Sequence, residues 1–272
     1  MILNEWVRNW DEKIRRWIEN PKVYFENDDI YNVYNAGTES KELQFNALLE
    51  PYLGDVNDRC SGVILSINPG DPMLNGEQIL PSGKFIKDGA AEKYSEWAKK
   101  WVYLTEYKNT FWSTRKEWIE RIIEEKDFLP FGIELIPYHS KSWGTLKKDE
   151  KLYKYIDENI LTIGEQMLDK SIFKMIICIG KDYEDTFNAL NFKKIIEVNN
   201  LNYSELNVNW PKDNGRAIGR SYIVWKSNRG YYYLQIKSNA GFAVAPGAHF
   251  TSTEKDIIRI VEEKEGCKLV IK

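Results

Sequence analysis

Five polar side chains stand where hydrolytic or acid–base chemistry is easiest to build: Asn68, Asp71, Glu134, His139 and His249. Asn68 and Asp71 follow the apolar run Val63-Ile64-Leu65-Ser66-Ile67, in the loop Asn68-Pro69-Gly70-Asp71-Pro72. Pro69 and Gly70 stop a strand at once. Open α/β sheets bind ligands at the carboxyl edge of their strands, so an amide and a carboxylate at such an edge make a site candidate. The same residues are ordinary turn formers. Glu134 and His139 lie in a second passage from strand to loop, Ile133-Glu134-Leu135-Ile136-Pro137-Tyr138-His139. His249 lies in Ala245-Pro246-Gly247-Ala248-His249-Phe250, just before a helix start. Both histidines of the chain fall in these loops. An amide to orient water, a carboxylate for developing positive charge and an imidazole to donate to a leaving group are the parts hydrolysis needs.

The elements that must position these groups alternate. Val63–Ile67 reads as a strand covered on both faces, being aliphatic and β-branched. Helices are expected over 91–107 and 113–125, a second strand over 133–137, and a helix over 150–168 with Leu152, Tyr155, Ile156, Ile160, Ile163 and Met167 inward. A third strand, 174–179, leads through Gly180-Lys181 into a helix that turns Tyr183, Phe187 and Leu190 inward. Strand and helix alternating in this way predict an α/β fold, three-layer α/β/α with a central mostly parallel sheet. Before it, residues 1–49 form an N-terminal helical attachment; over 3–20, Trp6, Ile14 and Trp17 share a face, and Pro21 ends the run. After it, the polar, Asn-rich stretch and the hairpin 221–226/231–237 make residues 191–240 an insertion in a single domain. Thr251 and Glu254 have capping-box spacing and open the last helix.

Composition narrows the function classes. With 10 Trp and 16 Tyr in 272 residues the chain is not disordered. Lys+Arg 38 against Asp+Glu 41 gives a net charge of −3, so any nucleic-acid contact must come from a local basic face. Cys60, Cys178 and Cys267 are odd in number and far apart, which argues against a disulfide framework or a zinc site and for a reducing cytoplasm. The N-terminal residues have no apolar signal region, and no stretch is apolar enough to span a bilayer.

In order, the motifs PYLGD, VILSINPG, IELIPYHS, IICIGKDYEDTF and PGAHFTS resemble those of the uracil-DNA glycosylase superfamily over roughly residues 50–260. Asn-Pro-Gly resembles the mismatch-specific and single-strand-selective branches. The lead-in and middle motifs resemble prokaryotic antiviral glycosylases that remove glucosylated hydroxymethylcytosine from phage DNA. The resemblance implies a monofunctional enzyme with no metal or cofactor, acting on DNA as a monomer. It implies that Asn68 positions the attacking water, that Pro69 and Gly70 border the base, and that His249 stabilises charge on the departing base. Phe85 or Tyr138 would stack on the flipped base, beside Glu134 and His139. Asp71 is either a carboxylate for the sugar or a cap of its own loop. The late motif, Gly-Ala-His-Phe-Thr-Ser, departs from the family's His-Pro-Ser-Pro, which leaves the wedge residue to Phe250.

Glu134 occupies the position, three before Pro137, where the single-strand-selective branch has an Asn that reads uracil. An ionised carboxylate only accepts hydrogen bonds, so it suits the exocyclic amine of a cytosine and opposes the O4 of uracil. Glu134 at a strand end can equally face solvent or pair with a lysine. Lys141, Lys147 and Lys148, with Arg220 and Arg229 near the hairpin, are the expected phosphate contacts. The expectation is that the loops of Asn68, Glu134 and His249 meet around a cavity for an extruded base. The competing readings are a binding relative without catalysis, a uracil-DNA glycosylase, and a hydrolase of small nucleosides.

Overall fold

The structure, a computed structural model, describes residues 2–20, 47–67, 86, 91, 93–99, 110–139, 148–238 and 245–271. Its fold is α/β. The strands are β1 (Tyr52–Leu53), β2 (Val63–Ser66), β3 (Phe131–Glu134), β4 (Met175–Ile179), β5 (Lys193–Asn199), β6 (Lys212–Asp213), β7 (Arg216–Ala217), β8 (Arg220–Lys226) and β9 (Tyr232–Ser238). Seven form one sheet in the order β1-β3-β2-β4-β9-β8-β5, and β6 pairs with β7 apart from it. The sheet is mixed rather than mostly parallel: β2–β4 and β4–β9 are parallel, whereas β1–β3, β8–β9 and β5–β8 are antiparallel. The chain groups into two compact units, Met1–Asn57 with Ser66–Tyr107 and Phe131–Gln166, and Asp58–Leu65 with Lys108–Pro130 and Met167–Lys272.

In the first unit, α1 (Leu3–Glu19) buries Leu3, Trp6, Trp10, Ile14 and Trp17, a stripe at helical spacing. Trp6 packs on Tyr52 with ring centroids 5.0 Å apart, and Tyr52 meets Tyr94 at 5.3 Å and Phe131 at 5.8 Å. Each buried side chain of this size contributes about 1.5–3 kcal/mol of apolar transfer energy. The short α2 (Tyr94–Ala98) has no cap of its own at Lys93. Instead, Asp11 of α1 accepts from the Ser95 backbone N–H and from Ser95 Oγ, both at 2.7 Å. A carboxylate from one helix thus satisfies a donor that the first turn of another leaves open. Asp149 caps α4 (Glu150–Ile156) by accepting from Leu152 N–H at 3.0 Å. The helix passes through a π turn, Asp157–Leu161, into Thr162–Leu168 (α5), keeping Leu152, Ile156, Ile160 and Ile163 buried.

In the second unit, β2 and β4 pair with Val63 opposite Ile176 and Leu65 opposite Cys178. Every residue of β4 is buried, as a strand covered on both faces requires. The hairpin forms with the expected turn, Ser227-Asn228-Arg229-Gly230. The stretch expected as an insertion is described to residue 238. It supplies β5 to β9; β5, β8 and β9 join the large sheet, where β9 lies directly beside β4. The Asn-rich composition belongs to the loop after β5, which masks a strand whose first two residues, Lys193 and Lys194, lie exposed on the sheet edge. Helices α3 (Thr110–Ile123), α6 (Tyr183–Ala189) and α7 (Thr251–Glu265) complete this unit. Leu190, expected on the inner face of α6, is only half-buried.

Candidate functional site

The first unit builds its site from an antiparallel pair. Tyr52 stands opposite Ile133 and Leu53 opposite Gly132. Beyond the strands the pairing continues: Glu134 N–H donates to Pro51 C=O at 3.1 Å, and Glu50 N–H donates to Pro137 C=O at 2.9 Å. The lead-in and the middle motif are therefore one backbone ladder. On its other side, Leu135 N–H donates to Ser66 C=O at 2.8 Å and Ile136 N–H to Ile67 C=O at 2.9 Å. Ile67 immediately precedes Asn68. Glu134 is 5% exposed and Tyr138 and His139 are buried. His139 Nε2 lies 3.8 Å from Glu50 Oε1. Glu50 carried no sequence signal beyond its place before Pro51; only the register of the ladder brings it to the imidazole. This end of the unit thus gathers the buried Glu134 and His139 with the half-buried Glu50. A hollow of about 90 Å³ in the same unit is lined by Asn4, Tyr52, Asp55, Asn57 and Lys99, not by Glu134 or His139.

The second unit presents His249. Ala248–Phe250 forms a single 3-10 turn running straight into α7. His249 is exposed, and its ring folds back on Gly247, where an added Cβ would lie 2.8 Å from Cε1 and 3.0 Å from Nδ1. A side chain at 247 would have to push the flexible His249 ring aside. Phe250 is 1% exposed, edge-on to Trp210 at 5.8 Å and tilted against Tyr222 at 6.0 Å. The Arg220 guanidinium lies over the Phe250 ring at 4.9 Å, and Arg121 Nη2 donates to Pro246 C=O at 2.8 Å. Beneath them Glu254 is 1% exposed and accepts from Tyr222 Oη at 2.9 Å. Burial pushes the Glu254 carboxyl up to about 7, against the opposing pull of Trp118, Tyr222, Arg121 and Arg220.

Three expectations for this loop need correction. Phe250 is not a free wedge, because its ring fills the core below the loop. Arg220 is not turned outward to phosphate, because its guanidinium is stacked on that ring. Thr251 and Glu254 do not form a capping box. Phe250 is the N-cap residue, Thr251 Oγ1 donates back to Ala248 C=O at 2.8 Å, and Glu254 is spent on Tyr222. The spacing does mark the helix start, but the core supplied the glutamate with a stronger partner than the helix end. Tyr138, offered as a stacking residue, is 0% exposed. Arg229 remains exposed in the hairpin turn and Lys148 is half-buried. Lys226, near the hairpin, donates to Glu265 at 2.7 Å.

Asn68, Pro69, Gly70, Asp71, Phe85, Lys141 and Lys147 lie outside the described residues. Glu134 belongs to the first unit and His249 to the second. No disulfide joins Cys60, Cys178 and Cys267. Among the described residues no helix is long and apolar enough to cross a membrane. No family model, no curated protein and no solved structure matches the chain.

Proposed function

We propose that the chain is a monofunctional DNA glycosylase of the uracil-DNA glycosylase type. Its substrate is a 5-substituted cytosine, such as the glucosylated hydroxymethyl base of phage DNA, and its product is an abasic site. It acts as a cytoplasmic monomer in antiviral defence. The observation that carries the reading is the ladder at the end of β3. The backbone of Leu135 and Ile136 is bonded to Ser66 and Ile67, so buried Glu134 stands beside the strand end that leads into Asn68. Tyr183 Oη also donates to Leu65 C=O at 2.7 Å, which holds the same strand one residue earlier.

In this mechanism Asn68 orients water toward the anomeric carbon. Asp71 faces the positive charge that develops on the sugar, and His249 donates to the base as it leaves with negative charge. Glu134 accepts from the exocyclic amine of the extruded cytosine. Extrusion costs a few kcal/mol, least where the base is modified, mismatched or already unpaired.

An abasic-site cleavage assay on oligonucleotides carrying uracil, hydroxymethylcytosine or its glucosylated form tests this. Cleavage is expected at the cytosine-type bases, with Asn68→Ala slower by about 10²–10⁴-fold. Glu134→Gln is expected to shift preference toward uracil, because an amide can donate to O4. No cleavage on any of the three substrates would overturn the reading.

One observation favours a second reading, hydrolysis of a small nucleoside. Phe250 is buried, Arg220 is stacked on its ring and Lys226 is paired, which leaves exposed Arg229 as the expected phosphate contact on the hairpin side. A binding constant that hardly changes with salt would support it, since neutralising phosphates gives a steep salt slope.

A further inference from the structure

The hollow of the first unit gathers polar groups that the chemistry above leaves unused. Three segments build it. Asn4 comes from the first turn of α1, and Tyr52 comes from β1, with Asp55 and Asn57 just after it. From α2 come Ser95 and, one turn on, Lys99. Hydrogen bonds fix these segments to one another. Tyr94 Oη donates to Tyr52 C=O at 2.6 Å, Gly54 N–H to Ala98 C=O at 2.8 Å, and Asn57 N–H to Asp55 Oδ1 at 2.9 Å. Exposure falls from mouth to floor: Asn4 and Asn57 are exposed, Asp55 and Lys99 half-buried, Ser95 and Tyr52 buried. A pocket held in shape before its ligand arrives has little ordering left to do on binding.

Two features give the hollow a chemical preference. Tyr52 is 2% exposed, and its hydroxyl has no hydrogen-bond partner among the described residues. Burial, and then the charges of Asp11, Asp55 and Glu96, raise this phenol well above its usual value, so it stays protonated as a donor in want of an acceptor. Asp55, one of the charges acting on it, also lines the hollow. The second feature is a surplus of negative charge. Asp11, Asp55 and Glu96 gather here, and among the described lining residues Lys99 supplies the positive charge. Lys99 Nζ lies 3.1 Å from Glu96 and 3.8 Å from Asp55. Asp11 spends both oxygens on Ser95, which leaves Asp55 as the lining carboxylate with accepting capacity. Among the described residues no cluster of His, Cys, Asp and Glu could hold a metal ion, so an organic cation suits the charge better.

We propose that this hollow binds a small organic cation: a primary ammonium seated against Asp55 near the Asn4 and Asn57 amides, on a short carbon chain whose hydroxyl or carbonyl oxygen accepts from Tyr52 Oη. The ammonium offsets the surplus of carboxylates, and its N–H groups find a charged acceptor in Asp55. The oxygen gives the buried hydroxyl the partner that buried polar groups normally have. Val7 adds an apolar wall for the carbon chain. An anion would meet the same carboxylates unfavourably. Glu134 and His139 do not line the hollow, so the site goes beyond the glycosylase reading and stands whether or not the chain excises bases.

Titration of the whole chain with ethanolamine, without DNA, tests it, followed by nuclear magnetic resonance at the Ser95 and Asn57 amides. Ethylamine lacks the oxygen, acetate reverses the charge, and potassium chloride offers a metal cation at matched ionic strength. Ethanolamine should shift both amides saturably, ethylamine more weakly, and acetate and potassium chloride not at all. Asp55→Asn should weaken ethanolamine binding by about 10–100-fold, the worth of a hydrogen bond to a charged group. Tyr52→Phe removes the hydroxyl alone, so it should erase the advantage of ethanolamine and leave ethylamine binding as in wild type. Shifts that do not saturate, equal shifts with potassium chloride, or an affinity unmoved by Asp55→Asn would overturn the proposal. If Asp55→Asn fails to fold, Tyr52→Phe decides: an undiminished preference for ethanolamine overturns it. Because no DNA is present, failure here leaves the glycosylase reading standing, and absence of base excision leaves this site standing.

Discussion

His139 is 3% exposed with its Nε2 3.8 Å from Glu50, whereas His249 stands exposed on a turn whose carboxylate, Glu254, is buried below it. In the first unit the histidine is buried and its carboxylate half-buried. In the second the histidine is offered to solvent and the carboxylate is hidden. A histidine sealed between backbone ladders has little freedom to meet a substrate, and its neighbours depend on it for stability. One that rests on a glycine at the surface can meet a ligand. Residue type is the same in both places; burial separates the roles.

That contrast can be broken most sharply at the histidines. His249→Ala should slow base excision by about 10²–10³-fold, the usual cost of losing one donor to developing negative charge. Its unfolding free energy should stay within about 0.5 kcal/mol of wild type, as for exposed substitutions. Excision at the wild-type rate would show the exposed histidine to be a bystander.

Next comes the buried carboxylate. Glu254 has a carboxyl raised from 4.5 to about 7 in the folded protein, so the native state holds a proton that the unfolded chain has released. Its contribution to stability is therefore fully present below about pH 4.5 and is lost as pH rises through about 7, some 3 kcal/mol in all. Urea unfolding followed against pH should show this fall in wild type and a flatter profile in Glu254→Gln. Identical profiles would mean that the carboxyl is not raised.

The first unit should respond in the opposite sense. His139→Ala is expected to cost about 1–3 kcal/mol in urea unfolding, the usual penalty for stripping a partner from a buried polar group. A stable His139→Ala protein with lost excision would move the catalytic assignment to His139 instead. The smallest effect belongs to Gly247→Ala. The new methyl meets only the flexible His249 ring, so the melting temperature should hardly move while the ring is pushed aside. Excision should fall about tenfold from misplacement of the imidazole alone. An unchanged rate would show that the seat of the ring does not matter.

Local pattern made much of the architecture legible. The stripe Trp6, Ile14 and Trp17 carries its helix in the spacing itself, as does Trp118, Ile119 and Ile122 for α3. The aliphatic runs at 63–66 and 175–179 read correctly as buried strands, and the Ser-Asn-Arg-Gly turn fixed its hairpin. What escaped was whatever depends on partners distant in the chain. β5 was hidden because its first residues are lysines on a sheet edge. Phe250 and Arg220 have polar or exposed sequence surroundings, yet each is the other's packing partner across 30 positions of chain. Glu50 reaches His139 only through the ladder that joins residues 50–53 to 132–137.

The amino-acid order alone determined the helix of the Trp6–Trp17 stripe, the buried strands at 63–66 and 175–179, the hairpin turn and which loops carry the histidines, because those properties follow from side-chain type and spacing within a few residues. Tertiary structure decided the mixed direction of the sheet, the burial of Phe250, and the change of Glu254 from helix cap to hidden carboxylate. Burial and partner charge arise from residues far apart in the chain, and a carboxylate takes its proton affinity from them rather than from its neighbours in sequence.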